Sequence, residues 1–322
     1  MPSHFTVGNP ARRDTIGGKS AIQRKTMNRI LVSGASGLIG SAVAESLTHE
    51  GAQVVPLVRG IPRKGGEIHW NPMESLSPTV VSGFHAVIHL AGESIVGRWT
   101  AAKKKAIRES RVQGTANLAR ALAEAEIKPK VFVCASAVGF YGDRGDKLMT
   151  EQSQAGEGFL AEVAKDWEAA TVAASQAGIR TVNLRTGLVL SDGGGALAKM
   201  LPAFRVGLGG RVGSGTQWWS WIHVDDVVGA VHHILQNPVL SGAVNLVAPN
   251  AVTNAEFTNE LAAVLHRPAI FPVPAFALSM LFGREAANEL FLASVRAVPD
   301  KLMQSGYDFR FSDLRLALEN LV

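Results

Sequence analysis

The sequence predicts an α/β protein, a doubly wound parallel sheet with helices on both faces and a small C-terminal lobe. Three observations carry that prediction. Short continuous apolar runs alternate with longer amphipathic stretches, as buried parallel strands alternate with helical crossovers. The first such pair is joined by a turn with glycines at three-residue spacing, Gly34, Gly37 and Gly40. The chain has 322 residues, 47% of them apolar, which suits one large α/β domain with a lobe and argues against disorder.

The chain carries a net charge of +5. Residues 1–26 hold Arg12, Arg13, Lys19, Arg24 and Lys25 against Asp14, so the tail supplies four of the five charges. The body is nearly balanced, has no global field for a phosphate backbone, and is expected to bind no nucleic acid. The tail has no apolar core and is expected to be a disordered basic extension, not a secretory signal. Its Arg/Lys content leaves organelle targeting open beside a cytoplasmic location. A single cysteine, Cys134, cannot form an internal disulfide, which fits a reducing compartment. No CxxC or His/Cys cluster is present, so no metal is expected. The longest late apolar stretch, FPVPAFALSMLFG (271–283), is too short and too proline-broken to span a bilayer, so no membrane partner is expected.

From Met27 the pattern sharpens. Ile30, Leu31 and Val32 read as a buried parallel strand. The glycine turn follows, then a helix with Val43, Ala44 and Leu47 on one face, ended by Gly51. Gln53 to Val58 form the second strand. A glycine at the strand end permits a tight turn, a second lets backbone N–H groups approach a pyrophosphate, and a third lets the helix pack on the sheet. The helix N-terminus then faces the phosphates. Strand, turn and helix together make a Rossmann-like dinucleotide site, with Gly34, Ser36, Gly37, Leu38, Ile39 and Gly40 as its contacts. The alternative is a tight turn that binds nothing. The second strand ends at Arg59 with no carboxylate for a ribose 2′-hydroxyl, and Arg63 and Lys64 follow. A guanidinium can pair with a 2′-phosphate, so NADP(H) is the expected cofactor.

Further along come AVIHLAGESI (86–95), a helical stretch carrying Gly114 and Thr115, and the strand VFVCASAVGFYGD (131–143). His-Leu-Ala-Gly, Gly-Thr and Ser…Tyr-Gly-Asp in this order resemble the extended short-chain dehydrogenases/reductases. RTGLVLSDGGGALAKMLPAF (185–204) and GSGTQWWSWIHVDDVVGAV (213–231) are similar to an atypical branch labelled epimerase-family or nucleotide-sugar-epimerase-like proteins. Some members of that branch are described as cell-division inhibitors. The resemblance runs from about Asn28 to the end and includes a C-terminal segment ending YDFRFSDLRLALENL, like the branch's small domain of unknown function. It implies that Leu90, Ala91 and Gly92 line the cofactor site and that Arg185 braces it, either as a cofactor-pocket residue or as a structural one. It implies three units: the tail 1–26, an NAD(P)-binding domain 27–240 with inserted lid elements, and a lobe 241–322.

The wider superfamily pairs a tyrosine with a lysine four residues later, the lysine lowering the tyrosine pKa. The two tyrosines here, Tyr141 and Tyr307, are followed four residues later by Gly145 and Phe311, so no Tyr-x-x-x-Lys exists. On the helix GEGFLAEVAKDWE the tyrosine position falls near Phe159 or Leu160, and Lys165 reads as a solvated surface lysine. The remaining candidates for proton chemistry are Ser136, Tyr141 and Glu93, or bound water. Glu93 stands just past Gly92 at a strand's carboxyl end, where ligands collect; the other two have structural alternatives, Ser136 satisfying backbone at a strand end and Tyr141 packing over the pocket. GLGGRVGSGTQWWSWIH reads as a glycine-rich lid with an aromatic wall, at least one of its tryptophans being core. Asp225 or Asp226 reads as the N-cap of the helix VVGAVHHIL. The leading function is an NADP(H)-binding oxidoreductase or epimerase-like enzyme for a small molecule, a nucleotide-linked one included. Its rival is a non-catalytic NADPH-binding regulator acting through protein contacts.

Overall fold

A computed structural model describes residues 29–62 and 66–322. The expected tail 1–26, Arg63 and Lys64 lie outside the described residues. Seven strands form one parallel sheet: β1 Arg29–Ser33, β2 Gln53–Val58, β3 Ile68–His69, β4 Ala86–His89, β5 Val131–Ala137, β6 Arg180–Thr186 and β7 Gly242–Leu246. Their spatial order is β3-β2-β1-β4-β5-β6-β7. The chain leaves β1 in one direction and returns to β4 on its other side, so the order reverses between β1 and β4. Ligands of such sheets bind outside the carboxyl ends of the strands at that reversal.

Side-chain alternation along each strand divides the core in two. Ile30, Val32, Val131 and Val133 face α1 (Leu38–His49) and α4 (Val224–Gln236), packing on Val43, Leu47, Val227 and Val231. Leu31, Val87, Phe132 and Cys134 face α2 (Ala101–Glu124) and α3 (Phe159–Ala169), packing on Leu118, Leu122 and Trp167. Buried on both faces, the strands have no polar side to show, which is why they read as continuous apolar runs.

The lobe begins later than the expected boundary and borrows chain from earlier. Residues 242–246 belong to the central sheet, each paired with β6. The lobe core joins Leu190, Leu197, Phe204 and Trp221 to Phe257, Leu261, Leu314 and Leu318. A short strand, Leu188–Leu190, pairs with Trp221–His223, so the chain leaves the sheet after β6, builds part of the lobe and re-enters through α4. The expected helix cap also differs. His223 caps α4, its Nδ1 accepting from the Asp225 N–H at 3.0 Å, so neither aspartate is the N-cap. Asp226 is 1% exposed and fastens the C-terminal segment instead. Its carboxylate accepts from the Tyr307 hydroxyl (3.0 Å) and from the Arg310 and Phe311 amides (2.8 Å each). Gly229 must lack a side chain, because a Cβ there would lie 2.5 Å from the Tyr307 hydroxyl.

Candidate functional site

The turn after β1 leaves donors open. Gly34 has φ +73°, and a Cβ on it would lie 2.8 Å from the Ala91 nitrogen, so the turn lies flat on the exit of β4. A Cβ on Gly40 would fall 2.1 Å from the Gly34 carbonyl oxygen, so the first turn of α1 seats directly on the loop. Gly37 is the N-cap in extended conformation and has no side chain to bond the first-turn amides. Its carbonyl accepts the first helical bond from Ser41 at 2.8 Å. The amides at the start of a helix have no partner within it, and those after Gly37 follow exposed Ser36 at the positive end of the helix dipole. Leu38 and Ile39 are half-buried, and the loop 191–195 lies against Leu38, close enough that a Cβ on Gly195 would be 3.1 Å from its side chain. The cradle that a Cβ would fill and the unclaimed amides fit a dinucleotide pyrophosphate.

Leu90 and Ala91 lie against this turn, their backbone 2.8 Å from a Cβ placed on Gly34, and Gly92 follows them. Arg59, exposed at the end of β2, and Arg111, reaching from α2, flank Glu93 with Lys103. Lys103 Nζ is 2.7 Å from the Glu93 carboxylate, and this hydrogen bond is the main reason the Glu93 carboxyl is held below its ordinary range. Arg111 donates to the Glu93 carbonyl (2.9 Å) and lies 5.0 Å over the Trp167 ring. Burial lowers its pKa to about 10. A Cβ on Gly92 would meet this guanidinium at 3.3 Å. Arg111 and Lys103 were not legible as site residues, because their chain neighbours on α2 are ordinary helix-surface cations.

Ser136, Tyr141 and Arg185 are brought together, but inside the protein. Ser136 is 4% exposed and its hydroxyl donates to Glu168 Oε1 at 2.7 Å. Arg185 grips the same carboxylate with two bonds of 2.8 Å and lies 3.5 Å over the Phe140 ring. It also donates to the Tyr141 hydroxyl at 3.1 Å. That hydroxyl donates to Asn245 Oδ1 at 2.6 Å and is fully buried. Burial raises the Tyr141 pKa, against the opposing pull of Arg185. The three side chains tie β5, β6, β7 and α3 together. Arg185, 4% exposed, is held in this network by Glu168, Tyr141 and the Glu151 carbonyl.

The helix that would carry a catalytic tyrosine offers none. Phe159 packs edge-on to Trp99 with ring centroids 5.1 Å apart, and Leu160 lies under Gly139. Lys165 is exposed. The N-terminus of α3 is closed by Glu289 from the lobe, whose carboxylate accepts from the Phe159 and Leu160 amides at 2.9 and 2.7 Å. The segment expected as a lid is pinned: Trp218 and Trp219 form a strand against Val252 and Thr253, and Gly213 donates to the Val273 carbonyl. Trp221 is fully buried, as one of the three had to be. Among the described residues no cluster of His, Cys, Asp and Glu could hold a metal ion, and no helix is long and apolar enough to cross a membrane.

A doubly wound sheet with an open glycine turn at its switch point defines a dinucleotide-binding protein of the short-chain dehydrogenase/reductase type. The model of the NAD dependent epimerase/dehydratase family matches residues 30–246, and the chain belongs to that family. A second model, a domain of unknown function called DUF1731, matches residues 273–321. Epimerase family protein MT2273 of Mycobacterium tuberculosis is 42% identical over 291 residues, covering 90% of this chain and 96% of that protein. The crystal structure of human epimerase family protein SDR39U1 (isoform 2) with NADPH superposes with a TM-score of 0.84 at 34% identity, covering 91% of this chain and 98% of that one. A nucleoside-diphosphate sugar epimerase from Corynebacterium glutamicum gives a TM-score of 0.75 at 38% identity, covering 90% of this chain and 57% of that one.

Proposed function

We propose that the chain binds NADP(H) in the Gly34–Gly40 turn and serves hydride transfer on a small molecule, without a lysine-activated tyrosine. The open amides after Gly37, over a turn in which Gly34 and Gly40 admit no side chain, carry this reading. The human relative crystallised with NADPH supports it. When bound, the nicotinamide would supply or accept the hydride. The residues of this chain do the rest. The turn amides hold the pyrophosphate, and Leu90, Ala91 and Gly92 form the floor. Arg59 meets the 2′-phosphate, in a neighbourhood where Arg59, Lys103 and Arg111 outnumber the one carboxylate of Glu93. Glu93, ionised at neutral pH because Lys103 and the two arginines favour its charge, can accept a proton but has none to donate. Ser136 and Tyr141 are committed to the Glu168–Arg185–Asn245 network and keep the strand ends in register. A donor would then be water or the substrate itself. The same commitment of Ser136 and Tyr141 favours the second reading, an NADPH-binding regulator that performs no chemistry.

Calorimetric titration tests the cofactor assignment. NADPH should bind more tightly than NADH, and Arg59→Ala should weaken NADPH alone by ~1–3 kcal/mol, the scale of a hydrogen bond to a charged group. Equal affinity for the two nucleotides would refute the role of Arg59.

A further inference from the structure

The segment FPVPAFALSMLFG cannot span a membrane, yet it is not buried. In the helix Ala275–Phe282, Leu278 packs inward, while Phe276 and Met280, four residues apart and so on one face, are 68% and 75% exposed. Leu281 is exposed beside them. A helix apolar on all sides is ordinarily covered on all sides. The chain just before it runs alongside the loop that follows Phe204. Phe271 donates to the Gly209 carbonyl, Val273 to the Arg211 carbonyl, and Arg267 Nε to the Arg205 carbonyl at 3.0 Å. This double loop exposes four more large apolar side chains: Val206, Leu208, Ile270 and Phe271. Scattered exposed apolar residues are normal, but contiguous ones mark an interaction surface.

The charge around this surface is of one sign. Residues 193–224 and 261–284 contain no aspartate or glutamate, and they carry Lys199, Arg205, Arg211, Arg267 and Arg284, all exposed. Four acidic residues flank these stretches, Asp192, Asp225, Glu260 and Glu285, and two of them are ion-paired: Glu285 is 2.6 Å from Lys104, and Asp225 is 2.8 Å from Arg310. We propose that the paired loops 205–211 and 266–273 and the helix Ala275–Phe282 form a docking surface for an anionic lipid bilayer. The apolar side chains would enter the headgroup–acyl boundary and the five cations would meet lipid phosphates. A second copy of the chain fits poorly, because a two-fold interface sets each patch against itself and would bring the two sets of cations together. None of these residues belongs to the glycine turn, so docking and cofactor binding can be measured separately.

The test is co-sedimentation of the purified full chain with vesicles of phosphatidylcholine alone and of a phosphatidylcholine–phosphatidylglycerol mixture. The expected result is at least ~10-fold stronger partition onto the mixed vesicles, weakened by salt. The double variant Phe276→Ser/Met280→Ser should abolish it. Arg205→Glu/Arg267→Glu should reduce it by roughly fivefold or more per side chain changed. Melting temperature and NADPH affinity report that each variant is folded. The basic residues 1–26 are present in every variant, so partition that survives both double substitutions comes from elsewhere and overturns the assignment. Absence of partition, or equal partition onto neutral vesicles, overturns it too. So does a dimer in sedimentation equilibrium that Phe276→Ser/Met280→Ser dissociates while vesicles are not bound.

Discussion

Tyr141→Phe separates a catalytic phenol from a structural one. The hydroxyl is fully buried, accepts from Arg185 and donates to Asn245 Oδ1 at 2.6 Å, with the Thr150 carbonyl as a second, longer acceptor at 3.0 Å. Removing it leaves Arg185 its two bonds to Glu168 and one to the Glu151 carbonyl at 3.2 Å, so the cation stays paired. The Asn245 oxygen is less fortunate. It loses its donor in a site without solvent, while the Asn245 amide nitrogen still holds the Val298 carbonyl at 2.8 Å and fixes the side chain. A buried acceptor left without a donor costs ~1–3 kcal/mol. At ~2–4 °C per kcal/mol for a chain of this size, the melting temperature should fall by about 2–12 °C. NADPH affinity should stay within about twofold, since the hydroxyl faces Asn245 on β7 and not the glycine turn. Thermal denaturation and an NADPH titration on the same preparation measure both. A general acid would behave in the opposite way, with turnover lower by ~10²–10⁴ and little change in stability. An unchanged melting temperature in Tyr141→Phe would refute the bracing role.

Two further outcomes follow from the same geometry. Lys165→Ala should leave NADPH affinity and melting temperature unchanged within error, because the ammonium is exposed and has no tyrosine to activate; a tenfold loss of affinity would contradict this. His89 is fully buried between Ser33 and Thr115, and burial lowers its pKa to about 4. The unfolded chain therefore takes up this proton at higher pH than the folded one. Stability from this site is complete above pH ~6.5 and is lost as pH falls toward 4, by an amount on the order of 3 kcal/mol. Urea midpoints at pH 7 and pH 4.5 in wild type and His89→Gln should show the wild type losing more; equal losses would place the effect elsewhere.

The glycine turn was legible because everything it needs is local. A strand, three glycines and a helix lie within about twenty residues, and Gly34 and Gly40 each have a steric reason. The interior network was not legible, because its partners lie far apart in sequence. Ser136 meets Glu168 32 residues on, and Tyr141 meets Asn245 104 residues on. One signal did exist. Ser136 shares strand parity with Phe132 and Cys134, which face α3, so alternation alone points its hydroxyl toward that helix. The strand Gly242–Leu246 was hidden by its brevity, five residues ending in a turn that resembles a lobe boundary. His223 as N-cap was obscured by the two aspartates after it, both better cap formers by propensity. Asp226 was drawn away by three donors from the C-terminal segment.

The central claim is that the amides after Gly37 hold the anionic centre of a dinucleotide, and one substitution tests it with opposite signs. Gly37 is an N-cap in extended conformation, where aspartate is favoured, and a Cβ there meets only the Gly34 carbonyl at 3.3 Å, which must give slightly. Gly37→Asp should therefore keep or raise the melting temperature, by a few tenths to ~1 kcal/mol from capping and the helix dipole. The same carboxylate would occupy the amides and repel a pyrophosphate at close range, at a cost of about 3 kcal/mol, or roughly a hundredfold in Kd. The measurement is a calorimetric NADPH titration of wild type and Gly37→Asp, with melting curves for both. The account predicts a stable variant that binds NADPH at least roughly a hundredfold more weakly. A stable variant with wild-type affinity would contradict it.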